Sequence, residues 1–270
     1  MEFDLTISIV LYKNPVEEIT NLLNCITTTA LKHKIIIVDN SPVNTYTDIV
    51  NRLDTEYYFS NKNLGPGRAQ NFAIQKILGK SKYHLITNPD ILFEHGTLEN
   101  IYNFLENNPD IGQVMPKVFY SDGNIQRLCK LLPHPLDLIS RRFFNYTHWA
   151  KQRNSEYELK TFNYDKILDT PNLSGCFMFL RTSCLEEVGG FDTRFFMYLE
   201  DFDFTRRLNK ITRTVFYPGA TVFHAHKKGS YKNIRLLYHH SISAIKYFNK
   251  WGWLYDKERG ILNKKVLSQL

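Results

Sequence analysis

Apolar residues come in short runs divided by stretches of helical period. Residues 5–11 (LTISIVL) form a β-branched run that predicts a buried strand. Asn14-Pro15 ends it, and Ile19, Leu22, Leu23 and Ile26 then recur at helical spacing. Residues 34–38 (KIIIV) predict a second strand, closed by Asp39-Asn40-Ser41-Pro42. A short helix is expected over 46–53 and a third strand over 57–60. A glycine-bearing loop, 61–67, leads into a helix over 68–78. A fourth strand over 84–87 is closed by Asn88-Pro89-Asp90, and a helix over 97–106 precedes a strand over 112–119. Strands alternating with helices predict an α/β domain: a mainly parallel sheet with helices on both faces. Ligands of such sheets bind outside the carboxyl ends of the strands. Three polar punctuations fall there: Asp39-Asn40, the loop from Asn63 to Asn71, and Asn88 to Asp90. Each alone is an ordinary turn, and their shared position is the signal.

The second half is patterned less evenly. Residues 124–132 read as a strand, 133–151 as a basic and aromatic helix, and 154–169 as a polar, mobile loop. An apolar run at 176–180 predicts a buried strand. A Gly189-Gly190 turn and the aromatic segment 195–198 follow, and then Glu200, Asp201 and Asp203 where a helix should begin. Acids at a helix N-terminus contribute ~0.3–1 kcal/mol each, so their placement alone has a structural account. Apolar surface beside them would also raise a carboxyl pKa, as a general base requires. Residues 213–217 and 221–223 read as two strands around Pro218-Gly219, ending at His224-Ala225-His226. From Lys227 to the end there are ten Lys and Arg but only two acids, interleaved with Ile, Leu, Tyr, Phe and Trp. This basic amphipathic helical tail suits either a membrane surface or a helix packed on the core with a solvated basic face.

Composition narrows the class. The 270 residues, 43% of them hydrophobic, suffice for one large or two small globular units. A net charge of +7 points to a polyanionic partner: nucleic acid, anionic lipid or a phosphorylated small molecule. Neither an RNP-type motif nor a recognised DNA-reading motif is present, which disfavours a nucleic-acid-binding protein. Cys25, Cys129, Cys176 and Cys184 lack CxxC spacing, so neither a zinc framework nor a disulfide scaffold is expected. No basic leader or membrane-length apolar run is seen, and a cytoplasmic protein is expected.

Six segments occur in a telling order: SIVLYKNP, IIIVDNS, NLGPGRAQN, NPD, the stretch SGCFMFLRTSCLEEVGGFDTRFFMYLEDFDFTRR, and HAH. Together, over about residues 4–230, they resemble a family 2 glycosyltransferase of the GT-A fold. More narrowly they are similar to the rhamnosyltransferase-like branch of bacterial O-antigen and cell-wall polysaccharide synthesis. The resemblance implies a nucleotide-sugar donor held by Leu11, Tyr12, Asp39 and Asn40, by the loop residues Gly65, Arg68 and Asn71, and by Asn88. It implies a Mg²⁺ or Mn²⁺ ion at Asp90, with His224 as a second ligand. The family's DxD motif is NPD here, so Asn88 replaces the first carboxylate. Asp201 would be the general base of an inverting transfer, supported by Glu200, Asp203 and His226. The implied reaction moves L-rhamnose from dTDP-rhamnose to a saccharide on a polyprenyl diphosphate. A UDP-hexose, GDP-mannose or UDP-galactofuranose donor is the alternative. Residues 1–119 would form the donor half, 120–226 the acceptor and catalytic half, and 227–270 a tail able to meet the cytoplasmic face of the inner membrane.

Overall fold

The structure is a computed structural model that describes residues 1–50, 55–144, 146–225 and 234–270. Strand β1 (Phe3–Leu11) lies inside the sheet, parallel to β2 (His33–Asp39) on one side and β4 (Ser81–Thr87) on the other. Strand β3 (Thr55–Phe59) adds parallel to β2. Beyond β4 comes the antiparallel β8 (Phe177–Arg181), then β6 (Ile111–Phe119) and β9 (Arg213–His224), which are parallel to each other. Two short strands, β5 (Ile91–Leu92) and β7 (Leu168–Asp169), pair antiparallel with β9. The order is β3-β2-β1-β4-β8-β6-β9-β5.

Both faces are buried, which is why the strands read as continuous apolar runs. Leu5, Ile7, Ile9 and Leu11 point to the face covered by α1 (Val16–Ile26) and α4 (Thr97–Glu106). Ile36, Val38, Ile86, Met178 and Leu180 point the other way. They meet α3 (Pro66–Ile77), α7 (Thr182–Val188) and α8 (Glu200–Leu208). On that second face β1 also carries a buried polar ladder. Thr6 Oγ1 lies 2.9 Å from His84 Nδ1, Ser8 Oγ lies 2.9 Å from His84 Nε2, and Ser8 donates to Gln70 of α3. Burial pushes the His84 imidazole down to about 3, so it stays neutral and joins the two hydroxyls.

Four expectations for the second half are corrected. Residues 124–132 form no strand beyond one bridge from Ile125 to Phe119, although Cys129, Leu131 and Leu132 are buried. The basic, aromatic stretch divides into α5 (Pro135–Phe143) and α6 (His148–Tyr157). What was expected as a loop is anchored: Tyr157, Leu159, Phe162 and Tyr164 are buried in a cluster with Met115 and Phe216. The two strands around Pro218-Gly219 are one. The register slips between Tyr217–Pro116 and Thr221–Lys117, so a bulge absorbs the Pro-Gly pair.

The tail is packed on the body. In α9 (Ile234–Trp251), Tyr247 and Phe248 are buried against Phe195 and Leu199. Val266 of α10 (Lys257–Leu267) joins the Phe216 cluster. The Trp251 ring lies 4.1 Å from the Arg206 guanidinium, and its Nε1–H donates to Asp203 at 2.8 Å. The alternative of a core-packed helix therefore holds for this stretch. Among the described residues, no helix is long and apolar enough to cross a membrane.

Candidate active site

The carboxyl ends of β1, β2 and β4 and the start of β8 open onto a cleft of about 350 Å³. Of the expected site residues, Tyr12, Asn40, Asn88, Glu200, Asp201 and His224 line it. Asn14, Gln70, Ser174, Cys176, Met197 and Tyr198 line it too.

Asp201 is held by the backbone. Its Oδ2 accepts from Gly175 N at 2.9 Å and its Oδ1 from Phe202 N at 3.0 Å. A Cβ on Gly175 would stand 3.1 Å from Asp201 Cβ, so a glycine is what lets the strand entry approach the carboxylate. The turn into α8 is strained. Tyr198 and Leu199, neither a glycine, take φ of 70° and 64° directly ahead of Glu200 and Asp201. Such conformations cost about 1–3 kcal/mol each and persist only where the surroundings over-determine them. Here Phe195 and Leu199 are buried against Tyr247 and Phe248, and Asp203 is pinned inside the helix. Asp203 is fully buried and accepts from Arg207 and Trp251 at 2.8 Å each, with Lys250 as a second ion-pair partner. It anchors the helix and does not line the cleft.

Glu200 and Asp201 differ in their environment. Glu200 Oε2 is buried without a hydrogen-bond partner. Burial, then the neighbouring Asp201 charge, raises its pKa well above the usual range. Burial also raises Asp201, while the Gly175 and Phe202 amides work against that rise. Amide donors favour the ionised form, so of the two carboxyls Asp201 has the surroundings that favour charge and Glu200 those that resist it.

Across the cleft, the pairing of Ile91 with His224 brings the Asn88–Asp90 turn against the end of β9. His224 Nε2 is 3.4 Å from Asp90 Oδ1 and 3.5 Å from Asn88 Nδ2. Gln126 braces the histidine twice: its Oε1 is 3.0 Å from Nδ1, and its Nε2 donates to the His224 carbonyl at 2.7 Å. Burial opposes charge on His224, but hydrogen bonds to Asp90 and Cys176 outweigh it and push the imidazole up to about 10. Among the described residues, no three His, Cys, Asp or Glu side chains converge as a metal site. One carboxylate and one imidazole do not make a resident metal centre. They do fit a hard divalent ion that takes its remaining ligands from a diphosphate and water.

Other expected residues stand elsewhere. Leu11 and Asp39 are fully buried, and the Asp39 carboxylate accepts from Ser41 N at 2.8 Å and Tyr57 Oη at 2.7 Å. Gly65 takes φ 79° at the entry to α3, where a Cβ would lie 2.1 Å from the Phe196 carbonyl. Its glycine serves that close approach, and Pro66 and Gly67 face the cleft instead. Asn71 is locked to Phe191 by two 2.7 Å bonds, amide to carbonyl and carboxamide oxygen to N–H. Arg68 donates to the Thr193 carbonyl at 3.1 Å. Both join α3 to the 191–193 loop and do not line the cleft. His226 lies outside the described residues.

Residues 6–189, more than half of the chain, match the family model described as glycosyl transferase family 2. The chain belongs to glycosyl transferase family 2. This family 2 chain is 27% identical over 203 residues to the N-acetylglucosaminyl-diphospho-decaprenol L-rhamnosyltransferase of Mycobacterium tuberculosis. The match covers 68% of the chain and 63% of the relative, so the chain spans under two thirds of that relative's length. Solved structures share the fold. A mannosyltransferase from Pyrobaculum calidifontis, in complex with GDP-Man and Mn²⁺, superposes with a TM-score of 0.63 at 19% identity. That match covers 100% of this chain and 71% of the other. S. aureus TarS (residues 1–349) superposes with a TM-score of 0.61 at 16% identity, covering 98% and 70%. The α/β sheet with helices on both faces is the GT-A architecture of family 2.

Proposed function

We propose that the chain is an inverting glycosyltransferase that moves L-rhamnose from dTDP-rhamnose to a saccharide carried on a polyprenyl diphosphate, in bacterial surface polysaccharide synthesis. The observation that carries the reading is Asp201. It is a carboxylate held by two backbone amides in a cleft at the strand ends, which Asn88 and His224 also line. The likeness to a rhamnosyltransferase named for a lipid-diphosphate acceptor supports the sugar and the acceptor class.

In this reading residues 1–119 hold the donor, and 120–226 hold the acceptor and the base. Tyr12, Asn40 and Asn88 contact the nucleotide-sugar from the strand ends. Asp201 takes the proton of the acceptor hydroxyl as its oxygen bonds to the anomeric carbon. The bond from that carbon to the diphosphate breaks on the opposite face, and the diphosphate leaves with the electron pair. Asp90 and His224 would hold Mg²⁺ or Mn²⁺, the imidazole giving up its proton to do so. Such an ion neutralises charge on the departing diphosphate. Glu200, protonated, keeps a second negative charge away from the base.

Purified protein assayed with dTDP-rhamnose and a lipid-diphosphate acceptor tests the reading. Asp201→Asn should lower kcat by about 10²–10⁴-fold, the usual weight of a positioned base, while melting as the wild type does. A folded Asp201→Asn that transfers at the wild-type rate would overturn the assignment. Melting shifts with dTDP-, UDP- and GDP-sugars separate the donors, the bound one raising the midpoint. A response to a UDP- or GDP-sugar alone would replace the rhamnose donor and leave the fold and the base in place.

A further inference from the structure

We infer that Lys130 and Arg141 form the seat for the acceptor's diphosphate, near Asp201 and outside the lining of the donor cleft. The inference rests on the lipid-diphosphate reading above.

Lys130 lies in the irregular segment between β6 and α5, which is nevertheless fastened along residues 129–132. Cys129 N donates to Tyr164 Oη at 3.1 Å, and the Lys130 carbonyl accepts from Thr170 Oγ1 at 3.2 Å. Leu131 N donates to the Tyr157 carbonyl at 3.0 Å, and the Leu131 carbonyl accepts from Asn172 Nδ2 at 2.8 Å. Asn263 of α10 closes both backbone groups of Leu132, at 2.8 and 3.0 Å. A side chain presented from such a segment is held in place before any ligand arrives.

The Lys130 side chain is partly buried. Its ammonium makes neither a hydrogen bond nor a direct ion pair with the described residues, and burial pushes it down to about 8. It feels the fields of Arg141, Glu158 and Asp201. Glu158 is already engaged: Arg141 Nη2 is 3.1 Å from its Oε1 and Lys160 Nζ is 3.8 Å from its Oε2. Arg141 and Lys160 thus share one carboxylate, and Leu131 N, next to Lys130, is bonded to the Tyr157 carbonyl beside it. A withdrawn cation without a partner is costly, and a bound anion offsets that cost.

Two observations say which anion. The Lys130 carbonyl is bonded to Thr170, in the segment that runs on to the Gly175 amide holding Asp201, and Asp201 is the group that must face the acceptor hydroxyl. Asp201 lines the donor cleft, whereas Lys130 and Arg141 do not. The positive pair thus stands near the base but apart from the donor's cleft, where a second substrate can be met. A lysine point charge next to a guanidinium fork suits the oxygens of a phosphodiester. A sugar diphosphate places two such charges one sugar ring away from the hydroxyl that reacts.

The experiment compares two acceptors of one sugar, N-acetylglucosaminyl-diphospho-alkyl and the uncharged alkyl glycoside, with the wild type, Lys130→Gln, Arg141→Gln and Lys130→Arg. The wild type should prefer the diphosphate acceptor. Each Gln variant should lower the ratio of kcat/KM for charged over neutral acceptor at least tenfold, and Lys130→Arg should keep most of it. Calorimetric titration with the alkyl diphosphate alone should show binding to the wild type that the Gln variants lose. An unchanged acceptor ratio in the Gln variants overturns the seat, as does a wild type that binds no alkyl diphosphate. Wild-type transfer to neither acceptor, with the alkyl diphosphate still bound, counts instead against the proposed reaction.

Discussion

Asp201 and Glu200 are sequence neighbours with opposite fates, and the difference lies in backbone hydrogen bonds. Two amides reach Asp201 and none reaches Glu200 Oε2. Both carboxyls are raised, which predicts two pH effects of known sign. In the proposed role Asp201 acts ionised, so kcat should fall as pH drops through its raised pKa, with the acid limb above the usual carboxylate range. Glu200 binds its proton more tightly folded than unfolded. Between the usual glutamate pKa and its raised one, the folded chain holds the extra proton, so stability falls as pH rises through that window. Glu200→Gln removes this dependence. It should stabilise the protein by roughly 1–3 kcal/mol at about pH 9 and change little at about pH 4. Thermal melts of both proteins at the two pH values check it, and an equal difference at both would contradict a raised Glu200. The acidic trio was legible as a helix start, and the ordered motifs separated Asp201 from Asp203. That Glu200 Oε2 would lack a partner while Asp201 gains the Gly175 amide was not legible, because Gly175 comes from another part of the chain.

At the scale of elements, the strands of residues 1–119 were readable because both sheet faces are apolar, leaving long β-branched runs. Residues 124–132 misled for the same reason. Cys129, Leu131 and Leu132 are as buried as a strand would be, but their backbone groups are satisfied by Tyr164, Tyr157, Asn172 and Asn263. Arg68 and Asn71 were expected at the nucleotide from their place in a glycine-bearing loop. They lie instead in the first turns of α3, whose orientation on the sheet turns them toward the 191–193 loop. Gln70, between them, faces the cleft and was missed. The tail's role is clearest at α8. Arg206 is fully buried, grips Asp256 with two 2.8 Å bonds, reaches Glu258 at 2.8 Å and lies over Trp251. Arg206→Met would strand the buried Asp256 charge. Removing one partner of a buried pair costs about 3–5 kcal/mol, a fall in melting midpoint on the order of 10 °C for a chain of this size. Because Arg206 and Asp201 share α8, the loss should reach catalysis as well. Arg206→Met should lower kcat at a temperature where it is still folded. An Arg206→Met protein that melts with the wild type would show that the tail does not stabilise this helix.

The whole molecule presents a basic, partly apolar face where the tail meets α5. Arg259 donates to the Pro133 carbonyl at 3.3 Å and to the Trp253 and Leu254 carbonyls at 3.4 and 3.2 Å. It thereby fastens the 253–255 turn beside the start of α5. Leu254 and Tyr255 are 79% and 84% exposed, and Trp253, Leu136, Ile139, Tyr146 and Trp149 are also exposed. Lys151 and Lys257 stand on the same elements, open to solvent. Apolar side chains set among cations suit an anionic bilayer surface, where burial of the former and attraction of the latter add. The tail's pattern suited either a membrane surface or a core-packed helix, and its Tyr247, Phe248 and Trp251 turn inward. What remains for a membrane is the turn after α9 and the outer side of α5. Flotation with vesicles of phosphatidylcholine and phosphatidylglycerol should recover the chain with the anionic vesicles, less so as salt rises. Leu254→Glu with Tyr255→Glu should release it while leaving the melting midpoint unchanged, since both side chains are solvated. Wild-type protein that fails to float with anionic vesicles at low salt would rule out this face. A lipid-bound acceptor would then have to be taken up by another route.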